Sequence, residues 1–154
     1  MGRGTITLVA AAIAAALFAA GCGDTSSSAS SVSKEEFIAK ADAVCKRSNK
    51  RMEVAFAEFL KENRDIRKPT DPAFEQLVGA VMVPNIKREI KEIRALGIPD
   101  GDEEKVEAML SALEEGLEVA EDNPKVVTAT SSDTIYGIAS RIAGEYGLET
   151  CGSR

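Results

Sequence analysis

The 154-residue chain contains no histidine and no tryptophan. Without an imidazole there is no general base poised near neutral pH, no Ser-His triad and none of the commonest metal ligand. An enzyme built on this chain would have to work with carboxylates, lysine or tyrosine, so the expectation is a non-enzymatic protein with no cofactor. Aromatic residues are scarce, with two Tyr and five Phe, and the core must come from Ala, Leu, Ile, Val and Met. No segment alternates apolar and polar residues long enough to make a strand. No glycine-rich phosphate loop occurs, because Gly97 and Gly101 flank a turn and not a strand-to-helix junction. Asp100-Gly101-Asp102-Glu103-Glu104 superficially matches the start of a calcium loop. It has Lys105 at the sixth position, where glycine belongs, and Ser111 at the twelfth, where a bidentate glutamate belongs. No metal site is expected. Basic charge is also short, with 19 Lys and Arg against 25 Asp and Glu. A chain this acidic, with no basic stripe, is not expected to bind nucleic acid, whose affinity comes mainly from phosphate neutralisation.

What is present begins at the N-terminus. Arg3 and the terminal amine precede an apolar run over residues 6–20 that only Thr7 interrupts. The run is short and alanine-rich, which suits the h-region of an export signal better than a membrane span. Leu17-Phe18-Ala19-Ala20-Gly21 then leads into Cys22. This arrangement resembles the lipobox of bacterial lipoproteins, with one departure: Ala19 stands where that motif prefers a bulky aliphatic residue. The resemblance implies a signal peptide over residues 1–21 and a lipid on the thiol of Cys22. It places the chain outside the cytoplasm, on the outer face of the cell membrane. The competing reading is an ordinary cleaved signal peptide with Cys22 a bystander. Residues 23–33 are nearly all Gly, Ser, Ala and Thr, a composition that buries nothing and behaves as a flexible tether. Two or three acyl chains, at about 0.8 kcal/mol per buried CH₂, hold such a domain stably where one does not.

Residues 34–154 read as one all-α domain, a bundle of about four helices. Ser33-Lys34-Glu35-Glu36 has the form of a capping box. Behind it Ile38, Ala41, Cys45, Ser48, Met52, Ala55 and Phe59 recur every three or four residues, and Phe37, Val44, Phe56 and Leu60 widen that stripe. Asp71-Pro72 starts the second helix, with Phe74, Leu77, Val78, Val81 and Met82 on one side and Ile86, Ile90 and Ile93 continuing it. Pro84 must kink this helix or split it, since proline deletes a backbone hydrogen bond and clashes with the preceding turn. Gly97 closes the segment and Pro99 prevents its continuation. Asp102 or a close neighbour caps the third helix, whose stripe is Val106, Met109, Leu110, Leu113, Leu117 and Ala120. Residues 124–130 are open between a helical turn and a loop. Ser132 or Asp133 starts the last helix, with Ile135, Ile138, Ala139, Ile142, Ala143 and Tyr146 inward and Gly147 at its end.

Once Cys22 is lipidated, Cys45 and Cys151 remain as a pair. Outside the cytoplasm a lone pair is most simply a disulfide; a redox pair is the alternative, although Cys45 lies on an inward stripe and not in an exposed electropositive site. The block Phe37-Ile38-Ala39-Lys40-Ala41-Asp42-Ala43-Val44-Cys45, together with Tyr146-Gly147-Leu148-Glu149-Thr150-Cys151-Gly152, resembles a group of small secreted or lipid-anchored helical proteins of actinobacteria. The resemblance covers most of residues 34–152. It implies a helical domain pinned by one disulfide and implies no activity.

Charge is unevenly placed. Residues 100–122 carry ten acids and one base, a net charge of −9, while residues 23–99 carry 14 bases and 12 acids. The acidic helix either receives a cation or a basic partner, or simply solvates itself and complements its neighbours. The leading expectation for function is a membrane-tethered module that binds a protein or envelope component through a bundle face. The alternatives are a small-ligand carrier with an apolar cavity between helices, Pro84 making room, and a carboxylate-based hydrolase. The anchor has a direct test. Cys22→Ser should release the protein or leave it as uncleaved precursor, and intact-mass analysis of the wild type should find lipid on residue 22. A mature N-terminus elsewhere, free of lipid, would refute the anchor.

Overall fold

The computed structural model describes residues 32–64, 72–129 and 135–153. Cys22, the signal segment, Asp71, Ser132 and Asp133 lie outside them. Among the described residues the chain is helical and has no strand. The helices are α1 (Lys34–Glu62), α2 (Pro72–Leu77), a π-helical turn (Val78–Met82), α3 (Val83–Arg94), α4 (Glu103–Asp122), α5 (Pro124–Ala129), α6 (Gly137–Tyr146) and α7 (Glu149–Gly152). None is long and apolar enough to cross a membrane. Packing runs as a ring in which α1 lies on α3, α3 on α4, α4 on α6, and α6 on the short α7, which returns to α1.

Ser33 caps α1 as its sequence requires, its hydroxyl accepting the Glu36 N–H at 3.2 Å. Phe37, Ala41, Val44, Cys45 and Ser48 are buried, and there the inward face stops. Met52 is half-buried, while Val54 and Phe56 are exposed. The expected stripe overreached at Phe56 because α1 has 29 residues against 12 in α3 and four in α7. A helix that outruns its partners keeps its apolar periodicity past the point where anything covers it.

The second helical segment accommodates Pro84 in a specific way. Proline's ring cannot sit against the carbonyl four residues back, and the backbone widens ahead of it, with the Val83 N–H bonding to Val78 O in place of the usual i−4 acceptor. The helix therefore runs through Pro84 behind one π-helical turn.

The last helix departs from expectation. Ile138, expected inward, is 56% exposed. The buried face is instead Tyr136, Ala139, Ser140, Ala143 and Tyr146. Small residues let α6 approach α4 closely at Gly116, where an added Cβ would lie 2.7 Å from Ile135 O and 2.9 Å from the Tyr136 ring. Isoleucine would hold the two helices apart. Gly147 ends α6 at φ 105°, its N–H bonding back to Ala143 O. Residues 124–129 form a helix, resolving the segment that the sequence left open.

Cys151 sits in α7 and not in an extended tail, and it is joined to Cys45 with Cα atoms 5.4 Å apart and 106 residues between them in sequence. Asp42, one turn before Cys45, completes the junction. Its carboxylate accepts the N–H groups of Glu149, Thr150 and Cys151 at 3.1, 2.9 and 3.2 Å. A helix of four residues leaves its first amides without internal partners, and α1 supplies the cap from across the fold. The Phe37 ring meets Tyr146 edge-on at 6.0 Å, and Leu148 is fully buried.

Closing so long a loop stabilises by roughly 4–5 kcal/mol in the chain-entropy picture. Cys45→Ser, Cys151→Ser and the double variant should therefore lose similar stability in urea unfolding, because one bond is broken in each case. Asp42→Ala, with the disulfide intact, should cost about 1–2 kcal/mol, as loss of a helix cap does. Additive losses for the two cysteines would show that they do not act through one bond.

Candidate functional site

A partly open cavity of about 230 Å³ lies between α1, α3, α4 and α6, with Cys151 at one wall. Its existence follows from the ring: α1 and α6 meet where Phe37 touches Tyr146 and are otherwise bridged by α7. Ile86 and Ile93 of α3, Met109 and Leu113 of α4, and Ala139 and Ala143 of α6 make the apolar walls. Met82, Ile86 and Met109, which tight packing would have used to fill this space, line it instead. Asn49, Met52, Met82 and Asn85 are at least partly exposed and form the rim. Met82 is the last residue of the π-helical turn that Pro84 imposes, so the proline shapes the mouth.

The polar groups arrive from three helices. On α1 and α3, Asn85 is held by Ser48: its Nδ2 donates to the Ser48 carbonyl at 3.1 Å and to the Ser48 hydroxyl at 2.8 Å. Arg51 Nε donates to Asn85 Oδ1 at 3.3 Å, and Glu92 pairs with both Arg47 and Arg51. This seam orders the rim, and Arg51 Nη2 and Glu92 Oε2 are buried in it without hydrogen-bond partners. Deeper, Glu89 is wholly buried and lines the cavity. Its Oε1 lies 3.7 Å from Cys45 Sγ. A disulfide sulfur carries no proton, so this is a packing contact and not a hydrogen bond. On α6, Ser140 and Tyr136 face the cavity one turn apart. The Tyr136 ring is 9% exposed, and its hydroxyl is buried without a hydrogen-bond partner. Burial, helped by the Glu121 carboxylate, pushes that phenol up to about 12.

Of the residues singled out from sequence, Cys45 and Cys151 come together and Cys151 touches the cavity; Cys22 lies outside the described residues. Glu89 and Tyr136 were missed. The signal for Glu89 was present, since it stands three residues after Ile86 and four before Ile93 on one face of α3. Tyr136, Ala139, Ala143 and Tyr146 also keep helical spacing, but the bulkier isoleucines beside them dominate the hydrophobic pattern.

Two other expectations resolve away from the cavity. Asp102 occupies the cap position of α4, but its carboxylate accepts the Tyr146 hydroxyl at 2.7 Å and pairs with Lys34 at 3.5 Å, and makes no cap hydrogen bond. The Tyr146 hydrogen bond, aided by Lys34, holds the Asp102 carboxyl below its ordinary range. The Tyr146 phenol is raised in turn, first by burial and then by Asp102. The acidic α4 meets the basic side of α3: Lys87 pairs with Glu121 at 2.6 Å, and Arg94 with Glu107 at 3.5 Å and with Glu114. These are exposed pairs worth ~0–1 kcal/mol each. No group of acidic or cysteine side chains that could hold a metal ion occurs among the described residues.

No family model matches the chain, and neither a curated protein nor a solved structure matches it.

The two tyrosines are the chain's only ones and tryptophan is absent, so tyrosinate absorbance reports both. Each phenol is raised in the folded state, which makes its stabilising contribution complete below the ordinary value of about 10 and progressively lost at higher pH. At pH ~10 an unfolded chain would show its tyrosines half ionised. The folded protein should show neither ionised, and its stability should fall above that pH. A tyrosine titrating at its ordinary value in the native state would refute this burial.

Proposed function

We propose that this chain is a membrane-tethered, extracytoplasmic binding module without catalytic activity, and that it holds a small, largely apolar molecule in the cavity between α1, α3, α4 and α6. The observation that carries the reading is the cavity itself: an apolar chamber of about 230 Å³ with a few convergent polar groups. Its size is below the ~300–1,000 Å³ of sites for drug-sized ligands, which points to a smaller guest. The apolar run leading into Cys22 and the Gly- and Ser-rich residues 23–33 support the membrane placement through their resemblance to lipoproteins, and the two cysteine blocks support kinship with the actinobacterial group. A protein-binding face has weaker support. The exposed large apolar side chains Val54, Phe56, Val119 and Ile138 are divided among three helices, and single apolar side chains on a surface are ordinary.

Occupancy is testable without knowing the natural ligand. Heptan-1-ol, whose chain length suits the volume, should bind the disulfide-bonded domain with one-to-one stoichiometry and raise its melting temperature. Saturation at about a hundred times Kd corresponds to ~2.7 kcal/mol of added stability. Ala143→Leu, which grows into the chamber, should abolish binding. Absence of any stabilisation, or an unchanged response in Ala143→Leu, would sink the cavity as a binding site.

A further inference from the structure

We infer that the guest is an uncharged molecule with a hydrogen-bond acceptor at one end, such as a short alkyl ketone, whose oxygen takes the Tyr136 proton while its chain lies along the α3–α6 wall. The inference rests on the reading of the cavity as a binding site and adds the chemistry of the guest. Size comes first. At the ~30 Å³ that a water-sized group occupies, 230 Å³ takes roughly eight heavy atoms.

Charge excludes the ions. The described residues that line the cavity include no lysine or arginine and one carboxylate, Glu89. Glu89 has no exposed surface and already interacts within the protein, so it is not a free counter-charge. The unpartnered Arg51 Nη2 and Glu92 Oε2 belong to the seam at the rim. Neither residue lines the cavity, and their opposite charges face each other there. An ammonium or a carboxylate would leave water for a largely apolar space and find no unengaged partner of opposite sign. Desolvating an unpaired ion costs more than burying a short alkyl chain returns. An uncharged guest avoids that loss.

Tyr136 decides the head group. It lines the same cavity and is more than nine-tenths buried, and its hydroxyl has no hydrogen-bond partner. Close contact with α4 holds the ring in place: a Cβ added at Gly116 would lie 2.9 Å from Tyr136 Cδ1 and Cε1. The phenol, pushed up to about 12, keeps its proton at neutral pH. Buried polar groups are nearly always satisfied, and one that is not calls for a partner from outside the chain. A fixed hydroxyl that still carries its proton is matched by a carbonyl oxygen, which accepts and carries no charge. Entry passes Met52 and Met82, unbranched side chains that can swing aside and then pack on an alkyl chain.

Headspace partitioning of two volatile probes of equal size, heptan-2-one and oct-1-ene, into solutions of the oxidised domain tests the head group. Both should bind, and Ala143→Leu should abolish both. Tyr136→Phe should weaken heptan-2-one about tenfold, as loss of one hydrogen bond to a buried donor does. It should leave oct-1-ene unchanged, and it should not lower the melting temperature of the free domain, since the hydroxyl has no partner within the chain. Calorimetric titration with heptylamine and heptanoate tests the charge, and each should bind more weakly than the ketone. Should Tyr136→Phe not fold, the carbonyl stretch of heptan-2-one bound to the native domain gives the answer, moving to lower wavenumber if the oxygen accepts a proton. An unmoved stretch, or equal losses of ketone and alkene in Tyr136→Phe, overturns the Tyr136 contact while leaving the cavity reading intact. Tighter binding of either ion than of the ketone, removed by Ala143→Leu, overturns the uncharged guest in the same way. If no probe binds, the cavity reading falls as well.

Discussion

The junction between the first helix and the last four-residue helix is the constraint on which the rest of the domain depends. At one place α1 contributes Phe37, Asp42 and Cys45, and the C-terminus contributes Tyr146, the amides of residues 149–151 and Cys151. Each contact is of a different kind: ring packing, helix capping and a covalent bond. A helix as short as α7 does not persist in isolation, and the cap and the disulfide together hold it against α1. The two cysteine-bearing blocks are thus halves of one structural unit held 106 residues apart in sequence. Asp42 and Gly147 belong to it as much as the cysteines do.

That junction also accounts for the cavity. Four long helices packed pairwise around a ring would meet in a filled centre. Here α6 reaches α1 chiefly through α7, and small side chains, Ala139, Ser140 and Ala143, face the space left over. The π-helical turn before Pro84 widens the opposite side and aims Met82 at the mouth. An empty apolar space of this size lowers stability because its lining lacks packing partners. The long-loop disulfide and the polar seam of Ser48, Asn85, Arg51 and Glu92 offset part of that loss.

Electrostatics plays a secondary role in the fold. The strong acidity of α4 reads in isolation as a surface waiting for a partner. In the folded protein several of its carboxylates face Lys87 and Arg94 of α3. These pairs set which sides of the helices face one another more than they hold the bundle together. The one wholly buried carboxylate among the described residues, Glu89, is on the helix with the basic surface.

The amino-acid sequence by itself determined the helical class, the inward stripe of α4 apart from Gly116, the caps at Ser33 and Gly147 and the cysteine pair, because periodicity, capping and cysteine arithmetic are local or combinatorial signals. Only the tertiary structure decided which stripes are covered. Phe56 and Ile138 carry the right periodicity and still face solvent, since burial depends on where a partner helix ends and how closely it approaches. The same limit hid Asp102's bond to Tyr146, the cap that Asp42 gives to α7, and the meeting of Glu89, Tyr136 and Ser140 around one cavity. Each joins residues remote in the chain, and hydrogen bonds of that kind leave no periodic trace in a single sequence.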